Sequence, residues 1–131
     1  MQYLLLIYRS DAEYGRMTAD DRKKLTGEYG AFTQSIIQSG HFKAGDGLQS
    51  TTTATTVRVR DGKILTTDGP FAETREQLAG FYLLECKDLD EAIEWAAKIP
   101  GAQSGTIEVR PVIDYEGRVA RAQSPAATSQ A

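Results

Sequence analysis

The chain is poor in the residues that staple or coordinate: 131 residues hold one cysteine, one histidine, one tryptophan and four prolines. With Cys86 alone, neither an internal disulfide nor a multi-cysteine zinc site can form. Leu84 and Glu85 place that cysteine in a strand-like run, where a packed thiol is expected rather than a nucleophile. With His41 alone, no His-x-His or His-Glu-x-x-His metal spacing exists. No apolar run approaches the roughly 18 residues of a membrane span. The start of the chain lacks the basic, apolar and small-residue pattern of a secretory leader, so a reducing cytoplasm is expected. Fifteen basic against eighteen acidic residues leave a net charge of −3 without a dense basic cluster. Direct nucleic-acid binding, which needs neutralised phosphates, is therefore not expected. Phosphate-cradling glycine loops and nucleophile elbows are missing too; Gly45-Asp46-Gly47 is too short for a dinucleotide site. No metal and no cofactor is expected.

What remains is the composition of a globular protein, 40% hydrophobic and 25% charged, at a length that suits one domain. Tyr3 to Tyr8 is apolar without a break, the pattern of a strand covered on both faces. Ser10 to Met17 is polar and turn-like. Thr18 opens a helix with Asp20 and Asp21 in its first turn, Leu25, Tyr29, Phe32 and Ile36 make its apolar stripe, and Gly40 stops it. Gly27 and Gly30 weaken this helix, and close packing is the reason expected for Gly27. His41 to Leu48 is ambiguous and permits a short strand followed by a turn. Thr55, Val57 and Val59 alternate with polar residues, Asp61-Gly62 turns, and Ile64-Leu65 returns, a β-hairpin. Thr74 to Gln77 has capping-box spacing and predicts a short helical turn. Gly80 to Cys86 is another continuously apolar strand, through Phe81, Tyr82, Leu83 and Leu84. Leu89, Ala92, Ile93 and Ala96 form the stripe of a second helix ended by Pro100-Gly101. Thr106 to Ile113 is the last strand. Residues 114–131 contain no Leu, Ile or Phe and are expected to be a disordered tail beyond a domain over 1–113.

This order predicts an α+β fold: a ferredoxin-like split βαβ arrangement, an antiparallel sheet with both helices on one face. Two strands are apolar on both sides, yet one face of such a sheet is bare. Four or more large apolar side chains there exceed what a monomer usually exposes, so a homodimer is expected.

Thr67-Asp68-Gly69-Pro70-Phe71-Ala72-Glu73-Thr74-Arg75-Glu76, followed by Leu78 and Gly80-Phe81-Tyr82, resembles the DGPF branch of the YCII-related family. Glu91-Ala92, Trp95-Ala96, Pro100 and Glu108-Val109-Arg110-Pro111 fall where that family's later elements do. The resemblance spans residues 1 to about 113 and implies a dimeric α+β barrel. It implies no particular reaction; some members are encoded beside, or fused to, extracytoplasmic-function sigma factors, which implies a regulatory association. Members of the YCII branch proper carry a His and an Asp associated with the first helix, proposed as a catalytic pair. Here the sequence departs, because His41 lies past the helix stop and the aligned helix positions are nearer Tyr29 and Gln38.

Asp68, Glu73 and His41 are the candidate catalytic residues. Asp68 heads the DGPF turn, where a carboxylate either accepts backbone N–H bonds or guards a cavity mouth. Glu73 could share acid–base work with Glu76 on one helical face. His41 alone titrates normally near neutrality. Arg58, Tyr82 and Phe71 are the candidate ligand contacts: an arginine clamp for a carboxylate or phosphate, a phenol, and an aromatic wall. These residues support two functional readings. One is a dimer binding a small molecule in a pocket by the sheet, with cofactor-free chemistry; the other is a non-catalytic module that associates with a sigma factor.

Overall fold

The computed structural model describes residues 1–115. The expected tail therefore lies, past Tyr115, outside the described residues. The first strand, β1 (Gln2–Arg9), buries Tyr3, Leu5 and Ile7 and leaves Leu4, Leu6 and Tyr8 half-buried. A short helix α1 (Asp11–Gly15) follows where a plain turn was expected. Ser10 makes it, accepting the Glu13 backbone N–H at 3.1 Å as an N-cap. Thr18 caps α2 (Ala19–Gln38) through the Asp21 N–H at 3.0 Å, and Gly40 ends it at φ +83°.

The remaining elements are β2 (Phe42–Gly47), the hairpin β3 (Thr55–Arg60) and β4 (Lys63–Asp68), β5 (Gln77–Glu85), α3 (Leu89–Lys98) and β6 (Thr106–Pro111). The main sheet has the order β2-β5-β1-β6, every pair antiparallel, and the hairpin forms a separate two-stranded sheet. This is the ferredoxin-like order. Both long helices cover one face: Phe32 and Ile36 of α2 and Ala92 and Ala96 of α3 join Leu5, Tyr82 and Leu84 in one core. On the opposite face the register sets Leu4 between Leu83 and Arg110, and Leu6 between Phe81 and Glu108.

Three expectations fail locally. No helical turn starts at Thr74; its hydroxyl instead donates to the Glu76 carbonyl at 2.6 Å, and β5 begins at Gln77. A cap with only two residues before a strand has no helix to cap. In α3, Leu89 and Ile93 face outward at 47% and 49% exposure, and the stripe runs through Ala92, Trp95, Ala96 and on to Ile99. At Gly27, as at Gly30, an added Cβ would meet nothing within 4 Å, so close packing does not explain it.

Candidate functional site

Glycine placement opens a cavity on the helix-covered face. Gly47 pairs with Gly80, and Gly80 with Ile7, so one row across three strands carries a single large side chain. In the next row Gly45 pairs with Tyr82 and Tyr82 with Leu5. A Cβ on Gly45 would stand 2.7 Å from Tyr82 Cδ1, so only glycine lets that ring lie where it does. Above these rows, Tyr29, Thr33 and Ile37 descend from one side of α2 at i, i+4 spacing. Between sheet and helix lies a cavity of about 550 Å³, also bordered by Phe42, Leu48 and Arg9. That size is in the range of small-molecule sites, as is the mostly apolar wall with a few polar groups.

The polar groups are two phenols, a threonine and a guanidinium. Tyr29 Oη accepts the Gly101 N–H at 3.2 Å, which leaves its own proton to donate. Tyr82 Oη shares a 2.7 Å hydrogen bond with Thr33 Oγ1. Burial raises both phenol pKa values above the ordinary tyrosine range, against the lowering effect of those hydrogen bonds. Both therefore stay protonated at neutral pH. Arg9 lays its guanidinium 3.7 Å over the Tyr14 ring and donates no hydrogen bond to any described residue.

Of the candidates named from the sequence, Tyr82 lines this cavity; Asp68, Glu73, His41, Arg58 and Phe71 do not. Asp68 ends β4 opposite Thr55 and is exposed. The bond that closes the hairpin base runs from Gly69 N–H to the Ala54 carbonyl at 2.7 Å, with Gly69 at φ +98°. Glu73 lies in the exposed loop before β5, and Phe71 is 79% exposed. Arg58 faces solvent on β3. His41 follows the C-terminal end of α2, next to Phe42, but turns away from the cavity, its Nε2 3.3 Å from Glu91 Oε1, its Nδ1 2.7 Å from Ser39 Oγ, its ring tilted against Trp95. There it ties the end of α2 to the start of α3. Cys86 is buried, and desolvation, with Glu91 and Glu85 adding to it, pushes its thiol up to about 11. It is no nucleophile at neutral pH.

A family model of the YCII-related domain matches residues 1–116. The chain belongs to that family. An uncharacterized protein of Rhizobium meliloti (strain 1021) is 34% identical over 118 residues, covering 88% of this chain and 95% of that protein. Among solved structures, 5-chloro-2-hydroxyhydroquinone dehydrochlorinase from Burkholderia phenoliruptrix AC1100, in complex with 2,5-dihydroxybenzoquinone, superposes with a TM-score of 0.53. That match covers 88% of this chain and 97% of the enzyme at 10% identity, so it speaks to the YCII fold. The residues missed from sequence, Arg9 and Tyr29, had faint signals: a charge closing an apolar strand, and a phenol four residues before Thr33.

Proposed function

We propose that this YCII-related protein is a homodimer that binds a small organic molecule between α2 and the sheet and acts on it with its own side chains. The cavity carries the reading: about 550 Å³ of largely apolar space, lined by Gly45, Gly47 and Gly80 and edged by Tyr29, Tyr82 and Arg9. Protonated phenols can donate to a substrate oxygen and stabilise charge developing there. That the fold neighbour is an enzyme supports this use of the fold. Asp68, Glu73 and His41 would enter such chemistry only if assembly or ligand binding carries them to a cavity, since none lines this one. The Asp68-Gly69-Pro70-Phe71 turn supports placement in the DGPF branch, and the half-buried apolar face of Leu4, Leu6, Phe81 and Leu83 supports the dimer.

A thermal-shift screen with mixed metabolites tests the reading, because a ligand at a hundredfold its dissociation constant adds about 2.7 kcal/mol. Gly47→Leu is the control: Gly47 lines the cavity and a Cβ there meets nothing within 4 Å, so the leucine is expected to be tolerated and to take up cavity space. We expect hits with the native chain and their loss in the variant. Hits that survive the variant, or no hits at all, would remove the cavity as the site.

The second reading, a regulatory module that contacts a sigma factor, draws support from the hairpin, where Val57, Val59 and Ile64 are 59%, 58% and 73% exposed. Co-purification with such a factor that Val59→Glu abolishes would favour it; retrieval of nothing would count against it.

A further inference from the structure

The cavity has a chemical polarity that the reading above leaves open. Its walls are Ile7, Ile37, Leu48 and Phe42, and its phenols are already neutral donors. The one group carrying charge on its inner side is Arg9, which pairs with Gln77 and closes the apolar run of β1. An arginine in such surroundings normally satisfies its donors with carboxylates or carbonyls. Arg9 does neither among the described residues. Its Nε is buried without a hydrogen-bond partner, and no described carboxylate lies within ion-pair distance. The nearest acid in sequence, Asp11, turns its Oδ2 to Thr51 N, Thr51 Oγ1 and Ser50 Oγ at 3.0, 2.9 and 3.2 Å. Tyr14 meanwhile holds the guanidinium 3.7 Å from its ring centroid, so fixing it on ligand binding costs less entropy. Asp11 acts on Arg9 through space only, without an ion pair or a hydrogen bond, so the guanidinium's donors stay open to a ligand anion.

We infer that the cavity is built for an organic monoanion, a carboxylate on a flat apolar body, with the Arg9 guanidinium as its anchor and Tyr29 as an additional donor. The inference rests on the small-molecule reading of the same cavity. Asp46 also borders the space, but it pairs with Phe81 in the row that faces away from the helices, and it is exposed, where water screens it. A charge-assisted arginine–carboxylate pair is among the stronger polar contacts available, and its loss is expected to cost about tenfold in affinity.

The test is a pair of isosteric probes, benzoate and benzamide, titrated at neutral pH into the full-length protein while the amide resonances of Gly45, Gly47 and Gly80 are followed. Benzoate should move those resonances at a concentration about tenfold below benzamide, and added salt should weaken benzoate alone. Arg9→Gln should bring the two probes level, and Arg9→Lys should keep part of the preference. If Arg9→Gln does not fold, the ratio in the native protein decides. Equal binding of both probes, or stronger binding of benzylamine than of benzoate, would overturn the anion anchor while the cavity reading stands. Perturbation of none of the three amides by any probe would take both down.

Discussion

Gly27 and Gly30 interrupt a 20-residue helix, and neither position offers a contact that a methyl group would disturb. Gly27→Ala and Gly30→Ala should each raise stability by about 0.5–1 kcal/mol, read in thermal or urea unfolding. A loss at either site would reveal a neighbour that the single chain does not show. Asp11 is the opposite case, a short side chain holding two loops. Burial raises its pKa, but the Thr51 and Ser50 hydrogen bonds and the nearby Arg9 outweigh that and hold it below the usual aspartate value. A lowered folded pKa contributes stability in full above the unfolded value near 3.8, and loses it as pH falls through the folded one. Asp11→Ala should therefore cost about 1–2 kcal/mol at neutral pH and unfold with a flatter acid limb than the native chain. Parallel acid limbs would show that its carboxylate contributes nothing through these bonds.

Most elements were legible because their signals are local. Thr18 does cap its helix, accepting a backbone N–H three residues on, and Asp61-Gly62 does form the hairpin turn, with both residues at positive φ, 51° and 74°. The Thr74 turn misled because capping-box spacing is blind to the strand that begins at Gln77. The α3 stripe misled because Leu89 and Ile93 outweigh alanine on any apolarity scale, while the tight approach of α3 to the sheet favours Ala92 and Ala96. The hairpin is legible as an element but not in its setting, since every residue of β4 is exposed. Two strands alone are marginally stable in water. In hydrogen exchange the amides of Val57 and Thr66 should lose protection orders of magnitude sooner than those of Leu5 and Leu84. Comparable protection would mean that a partner covers the arm.

At the scale of the whole molecule, element order and doubly apolar strands were enough to read the sheet and the side its helices take. The cavity could not be read, because it is made by Gly45, Gly47 and Gly80 falling into register only once β2, β5 and β1 are side by side. Single-strand periodicity carries no trace of that. Assembly is open to a direct check: Leu6→Glu puts a charge at the centre of the face opposite the helices, between Phe81 and Glu108. The native chain should sediment at twice its 14.3 kDa and the variant at that mass. A native species of single mass would end the paired-sheet reading.

The pairing of β1 also dictates when the domain can take shape during synthesis. Its neighbours on both sides come late, Gln2 lying against Glu85 and Tyr3 against Pro111. During synthesis β1 thus stays a greasy, unzipped stretch until almost the entire domain has emerged. Non-local closure of this kind is slow and invites misassociation, so a nascent chain halted before Thr106 is an aggregation-prone intermediate and a natural client for chaperones.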